Sequence, residues 1–487
     1  MNLNSKGVFK LGEVNHEKQG LHKALKPIHL WAIAVGMVIS GQYFGWNYGF
    51  EQGGTLGLMA AAIFITIFYT AFIFSYSELS TSIPHAGGPS AYARRAMGPY
   101  AGFMTGISVL IEFVFAPPAI AVATGAYINF LIPAINPVYA TVAVFVFFIL
   151  INMIGVKGAA LIELVATIIA LIGLAIYFAA GSTHVQLDYI FNENALPNGW
   201  TGMWMAIPFA IWFYLAVEGG AMAAEEVQNP KKDIPKGFIA GILTLAICTI
   251  GTLFITAGLG GGVGQPADNP LPQALASVYG EGHFLPKLVA VIGLAGLIAS
   301  LHGIIIGYSR QTFALSRAGY LPKFLSRLSK RQIPTWGLLL PGGIGVIAAA
   351  NATFANQLII LAVFGAAMMY CLSLVSLFIL RKKEPNLHRP FKVSYPLVPG
   401  VAIVLGVISL FCVIYYSVFN QSLPLFGVNV PLLGVLLFIY GAATVYYIAV
   451  GRHKLLPIEE EFGVFDELEA DEEQHDEMIK RDAKIGM

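Results

Sequence analysis

Apolar residues run along this chain in stretches of about twenty, separated by short polar joints, which is longer than strands or most soluble core helices require. The joints place the stretches at roughly 28–52, 55–82, 99–131, 137–155, 158–181, 202–226, 236–260, 286–316, 335–352, 356–380, 397–420 and 428–450. Each is long enough to cross a ~30 Å hydrocarbon layer as a helix, so the pattern predicts an all-α integral membrane protein with about twelve spans, ten plus two. Two of the spans are interrupted. Span 1 (WAIAVGMVISGQYFGWNYGF, Trp31 to Phe50) carries Ser40-Gly41-Gln42 and Gly45 at mid-depth; span 6 (MWMAIPFAIWFYLAVEGGAMAAE, Met203 to Glu225) carries Glu218-Gly219-Gly220 at a comparable depth. Unwound backbone at membrane depth is tolerated only where it lines a cavity, so paired interruptions half a chain apart point to a solute site between two repeats.

Composition agrees with the pattern. The 487 residues are 57% hydrophobic and 11% charged, with a mean hydropathy of +0.72, too few charges to cover a soluble globule of this size. The net charge of +1 conceals an asymmetry: the predicted topology puts Lys287 alone of the 28 Lys and Arg in an outer loop. By the positive-inside rule this predicts a multi-pass protein of the cytoplasmic membrane with both termini in the cytoplasm. The first 26 residues are polar and span 1 is long enough to be an uncleaved anchor, so no cleavable signal peptide is expected. Cys248, Cys371 and Cys412 fall inside spans, where a thiol behaves as a small hydrophobe; no disulfide and no metal site is expected. The tail after Leu456 is acidic and reads as a solvated cytoplasmic extension. Asn351-Ala-Thr353 and Asn420-Gln-Ser422 fit the weak glycan-acceptor pattern, each against a span. No nucleotide loop, metal-ligand cluster or nucleophile motif is present, so neither an enzyme, a cofactor nor a nucleic-acid partner is expected.

The loop after span 2 reads ELSTSIPHAGGPSAYARRAMGPYAGF (Glu78 to Phe103), with Pro84, Gly87, Gly88 and Pro89 forcing turns and Arg94-Arg95 anchoring the re-entry. The loop after span 6 reads AAEEVQNPKKDIPKG (Ala223 to Gly237), the span 8 exit SRQTFALSRAGYLP (Ser309 to Pro322), and the span 10 exit RKKEPNLHRPFKV (Arg381 to Val393). Together these resemble the amino acid–polyamine–organocation transporter superfamily over nearly the whole chain. The resemblance implies the leucine-transporter-type fold: a 28–380 transport core built from a five-plus-five inverted repeat (about 28–181 and 202–380), with substrate held between the two interrupted helices. A 1–27 cytoplasmic segment, two extra C-terminal helices at 397–450 and an acidic 451–487 tail complete the expected organisation. Amino acid carriers of the superfamily typically have a small-residue triplet at the span 1 interruption, whose freed amides hold the substrate carboxylate. Here Ser40-Gly41-Gln42, followed by Tyr43, puts a bulky amide where the third small residue stands. SGQYFGWN is similar to the ethanolamine permease branch, and ethanolamine has an ammonium and a hydroxyl but no carboxylate. A small-molecule amine is the implied substrate, lipid the surrounding medium and a coupling proton a candidate partner.

A cationic substrate needs a counter-charge, and Glu112 of span 3 offers one. A lipid-facing carboxylate at that depth costs about 2.5–3.5 kcal/mol, so the side chain should face the bundle interior. Pro117 and Pro118 remove the amides that would have bonded the carbonyls of Phe113 and Val114, leaving acceptors beside the acid. The superfamily pattern aligns Glu112 with a pocket position of the cationic amino acid exchangers; the competing reading is a neutral structural acid. Glu218 aligns with an acidic gate residue, and equally reads as a cap on the unwound helix end. The resemblance puts Trp212 at a gating aromatic, with Phe213 beside it, and aromatic faces attract ammonium groups by ~0.5–2 kcal/mol; simple packing is the alternative for both. His302, alone among histidines at membrane depth, reads first as an interhelix hydrogen bond and second as a proton relay. Glu163, near the inner end of span 5, reads as an interface or interhelix acid. Many proton-coupled members have a Lys in span 5, where this chain aligns Ala170, so membrane potential alone could drive accumulation, at about 2.3 kcal/mol per charge per 100 mV. An exchanger or symporter for amino acids or polyamines is the alternative within transport, and a non-transporting nutrient sensor the alternative outside it.

Overall fold

Prolines and glycines punctuate the spans where a helix tolerates them. Pro27, Pro99 and Pro230 occupy first turns, where the missing amide costs nothing, and Gly98 (φ +95°) and Gly260 (φ +68°) turn the chain through the left-handed region between elements. The computed structural model describes residues 25–154, 159–260, 267–351, 354–425, 428–458 and 461–462. The N-terminal segment before residue 25, nearly all of the acidic tail and two of the three residues of the Asn351-Ala-Thr353 pattern lie outside the described residues. Among those described, ten helical segments are long and apolar enough to cross a membrane, and a shorter apolar helix, Thr335–Ala349, supplies span 9. With the interrupted helix Pro27–Val38 and Ser40–Tyr43 as span 1, the described residues form an all-α bundle of twelve spans. The rest are span 2 (Gly49–Ser82), span 3 (Pro99–Leu131), span 4 (Pro137–Ile154), span 5 (Ala159–Ser182) and span 6 (Gly199–Trp212, continued by Val217–Glu226). Then come span 7 (Pro230–Leu259), span 8 (Phe284–Arg317), span 10 (Ala355–Lys383), span 11 (Leu397–Phe419) and span 12 (Leu432–Ala449).

Three edges differ from the hydrophobic pattern. Span 7 begins at Pro230 instead of 236, because Asn229-Pro230 starts the helix among lysines that reach the interface. Span 12 begins at Leu432, because Val428–Pro431 pairs antiparallel with Ser422–Leu425. The helix running into span 2 contains a turn at Gly54 (φ +63°), where a Cβ would come within 2.5 Å of the Ala195 carbonyl; only glycine suits both the torsion and the approach. Two short helices that hydropathy did not indicate, Pro89–Met97 and Pro270–Tyr279, lie at opposite ends of the bundle.

Spans 1, 2, 6 and 7 pack on one another, span 3 packs on spans 8 and 10, and span 1 also reaches spans 5 and 8. The core is therefore central: 94% of the apolar window of span 6 is buried, against 6% for span 12, whose side chains are left to lipid. The basic end is tied by charge. Buried Glu78 at the end of span 2 accepts from Arg381 Nε (2.7 Å) and Nη2 (2.6 Å) and from the Val393 amide (2.9 Å), with Arg389 Nε at 3.5 Å. Arg95 pairs with Glu384 at 2.9 Å. Arg94 pairs with Glu461 at 2.5 Å and donates to the Leu456 carbonyl, so both residues lie against the helix Pro89–Met97. Burial, with Arg317 and Arg94 nearby, pushes the imidazole of His85 in that loop down to about 3.

Candidate substrate site

The span 1 interruption falls at Gly45, and that of span 6 lies slightly ahead of its glycine pair. Ser40, Gly41, Gln42 and Tyr43 stay helical; the chain leaves the helix at Phe44 (φ −163°) and turns at Gly45 (φ +97°). In span 6 the α-helix ends at Trp212, the next amides bond three residues back instead of four, and Ala216 adopts a left-handed torsion (φ +72°) before Glu218, Gly219 and Gly220 continue in a 3-10 segment. The sharpest point is thus an alanine, a torsion that costs a residue with a Cβ about 1–3 kcal/mol and that sequence offers no means of locating. Gly41 brings the two interruptions together, since a Cβ there would overlap the Trp212 carbonyl.

The polar groups freed at the span 1 interruption are largely used by the protein itself. The Ser40 amide donates to Ser300 Oγ (2.9 Å), which donates to the Gly36 carbonyl (2.7 Å); the Gln42 amide donates to Ile39 O (3.0 Å). The Gln42 side chain is fully buried and its Nε2 donates to Phe213 O (3.1 Å) and Thr249 Oγ1 (3.2 Å), bridging spans 1, 6 and 7. Tyr43 points away, its hydroxyl donating to Ala170 O (2.6 Å) and its carbonyl accepting from Tyr127 (2.9 Å). Ala170, aligned with the superfamily lysine, is thereby a backbone partner of Tyr43. Trp212 Nε1 donates to Phe44 O (2.7 Å), Trp46 Nε1 donates to Gln42 O (3.1 Å), and the Trp46 ring stacks on Phe213 with centroids 5.4 Å apart and planes at 15°. Trp212, Trp46 and Phe213 make one closed aromatic layer over the interruptions.

Below that layer the structure brings the two acids together. Glu112 and Glu218 are both fully buried, and their carboxyl groups lie close enough to interact, beside the backbone of Ala216. Tyr370 of span 10 donates to Glu218 Oε2 (3.0 Å) and Tyr69 of span 2 donates to the Tyr370 oxygen (3.1 Å). Neither oxygen of Glu112, nor Oε1 of Glu218, accepts a well-directed hydrogen bond among the described residues. Span 10 closes on this point through Gly365, where a Cβ would lie 2.7 Å from the Glu112 amide. Two buried carboxyl groups served by one hydroxyl need a positive partner, either a shared proton or a cation. Tyr370 and Tyr69 were not singled out by the sequence; the available signal was a phenol in an apolar span, which must find a partner when buried.

Phe113 does not face the acid pair. Its ring lies against Gly219 and Gly307, where a Cβ would come within 3.4 and 2.7 Å respectively. His302 is likewise apart from Glu218: with Asn152 Nδ2 as donor, its Nδ1 accepts at 3.1 Å across spans 4 and 8, the interhelix role read first from the sequence. It lines a separate cavity with Glu163. The ten residues singled out as the site thus divide into Ser40, Gly41, Gln42, Trp212 and Phe213 at the interruptions, the Glu112–Glu218 pair, and Tyr43, Phe113 and His302, which face elsewhere.

Comparison with known proteins fits this architecture. Residues 25–450 match the family model described as amino acid permease. An uncharacterized transporter of Rhizobium meliloti is 30% identical over 377 residues, covering 75% of this chain and 80% of that protein. The methylthioribose transporter of Bacillus subtilis is 27% identical over 474 residues (90% and 96%), and the branched-chain amino acid permease BcaP of the same organism is 23% identical over 419 (81% and 88%). A twelve-span helical bundle, two interrupted helices meeting at its centre and a match across almost every span lead to one conclusion: the chain belongs to the amino acid permease family, whose members are multi-pass membrane transporters.

Proposed function

We propose that the chain is a permease for ethanolamine, taken up across the cytoplasmic membrane by alternating access, with spans 1, 2, 6 and 7 rocking against the rest of the core. The observation that carries the reading is the Glu112–Glu218 pair, a buried site with two acids and no basic side chain hydrogen-bonded to either among the described residues. Such a site favours a cation, and the occupied amides of Ser40 and Gln42 disfavour a carboxylate beside it. A small primary amine with a hydroxyl satisfies both conditions. Its ammonium would sit at Glu112 and Glu218; its hydroxyl would lie toward Ser40 or the Gln42 edge. Trp212 and Phe213 would cover it. The repeats about 28–181 and 202–380 form the core in this reading, and the clustering of Arg94, Arg95, Arg310 and Arg381 at one end supports cytoplasmic termini.

The relatives' names favour a second reading, since one transports methylthioribose and another branched-chain amino acids. Uptake by reconstituted vesicles separates the two. Labelled ethanolamine should accumulate and be displaced poorly by leucine, methylthioribose, arginine and putrescine. Saturable leucine uptake with no ethanolamine uptake would falsify the ethanolamine reading and leave an amino acid carrier.

A further inference from the structure

A cavity of about 100 Å³ lies between the acid pair and the basic end, against the roughly 10–15 Å³ a single water needs. It is lined by Met37 of span 1, Glu163 of span 5, Gly219 and Met222 after the span 6 interruption, and His302 and Ile306 of span 8. Glu163 is 6% exposed, and its Oε1 has no hydrogen-bond partner among the described residues. The carboxyl group reaches between spans 1 and 8 because both are glycine where it passes: a Cβ at Gly36 would overlap Oε1, and one at Gly303 would lie 3.4 Å from it. Thr167 Oγ1, one turn along span 5, lies on the same side of Gly36 and donates to Ala32 O (3.3 Å), tying span 5 to span 1 behind the acid. At the mouth, Glu226 pairs with Arg310 at 2.7 Å, which cancels those two charges. Among the described residues one uncompensated carboxyl group remains, matched in charge by one monovalent cation.

Only a thin apolar wall separates this carboxyl group from the central pair. A Cβ at Gly219 would lie 2.5 Å from Met37 Cε and 3.4 Å from the Phe113 ring, and Gly307 faces the same two side chains. Met37 is an unbranched thioether with three soft torsions, the side chain best suited to swing aside without backbone change. A bare metal ion prefers a shell of six or more oxygens, which Met37, Met222 and Ile306 deny it; an ammonium on a short apolar stem suits both the acid and the thioethers.

We propose that this cavity is a second cation station, in which the Glu163 carboxylate holds the ammonium of a small primary amine between the Glu112–Glu218 pair and the basic end. The station deepens the amine-carrier reading and rests on it. An amine passing Met37 exchanges one carboxylate for another and never lies unpaired in the apolar wall. The Asn152 contact on His302 Nδ1 leaves Nε2 as a second polar atom for the hydroxyl of the same ligand.

The test uses Ile306→Cys in the full chain with Cys248, Cys371 and Cys412 changed to alanine, and follows labelling by uncharged N-ethylmaleimide. Ethanolamine, propylamine and putrescine are supplied at ten times their half-protecting concentrations, which should slow labelling about tenfold. Protection should persist with Glu112→Gln, disappear with Glu163→Gln and return in part with Glu163→Asp, which also shows that the site folds. If no amine protects, or if protection survives Glu163→Gln, the station does not exist, whatever becomes of the central site. Protection by propylamine but not by ethanolamine would keep the station and remove ethanolamine as its ligand.

Discussion

Glu78 and Glu112 are both acids buried in this bundle, and they are treated in opposite ways. Glu78 accepts a bidentate pair from Arg381 and a backbone amide, with Arg389 beside it; Glu112 accepts no well-directed bond and faces another acid. A buried carboxylate that is fully paired holds elements in place, whereas one left without donors is a cost that folding alone does not explain. Glu78 ties the end of span 2 to the exit of span 10. Glu112 stands where spans 3, 6 and 10 meet the interruptions. The contrast is between an acid whose charge is matched by the protein and one whose charge is not.

The largest expected effect falls on the structural acid. Glu78→Ala leaves Arg381 and Arg389 partly buried without their counter-charge and should destabilise the protein by about 3–5 kcal/mol, read as a lowered unfolding temperature in detergent. Glu112→Gln should leave that temperature within a degree or two of the parent or raise it, because it removes one of two facing charges. Equal destabilisation by the two changes would erase the distinction.

Glu218→Gln tests whether the pair carries a proton. In vesicles clamped at zero potential, an imposed pH gradient should drive amine accumulation in the parent, and the substitution should reduce that component about tenfold or more, leaving substrate-for-substrate exchange. Accumulation that follows voltage alone, at about 2.3 kcal/mol per charge per 100 mV, would return Glu218 to a structural role.

A smaller effect is expected at Gln42. Gln42→Gly removes two donated hydrogen bonds between spans 1, 6 and 7, worth about 0.5–1.5 kcal/mol each, and opens space beside Gly41. Ethanolamine uptake should weaken about tenfold and serine should begin to compete; an unchanged inhibition profile for serine would show that Gln42 does not set selectivity. The smallest is Trp212→Phe, which keeps the ring and deletes the Nε1 bond to Phe44 O. At about 1 kcal/mol the closed layer should open some fivefold more often, measured as faster efflux of preloaded substrate without counter-substrate.

Much of the fold was legible because the bilayer imposes a single rule on length and polarity. The spans, both interruptions and the isolated Glu112 all follow from runs of apolar residues and what breaks them. Glycine located the span 1 interruption at Gly45, but span 6 unwinds over Trp212–Ala216, ahead of its glycines, where tertiary packing holds an alanine in a left-handed torsion. The facing of Glu112 and Glu218 was not legible, since it joins residues more than a hundred positions apart. Gln42 could be seen as too large for a carboxylate triplet, but not that Phe213 O and Thr249 would occupy its donors. Glu163 looked like an ordinary interhelix acid until Gly36 and Gly303 left room for its carboxyl group at the wall of a cavity.

The most direct measurement of the central claim is initial uptake of labelled ethanolamine by vesicles containing the parent, Glu112→Asp or Glu112→Gln at matched protein. A charge-assisted contact of about 1.5–3 kcal/mol lost at the carrier's centre predicts uptake some ten- to a hundredfold lower for the Gln form, with the Asp form between the two. Uptake by Glu112→Gln equal to that of the parent would contradict the assignment of the acid pair as the substrate's counter-charge.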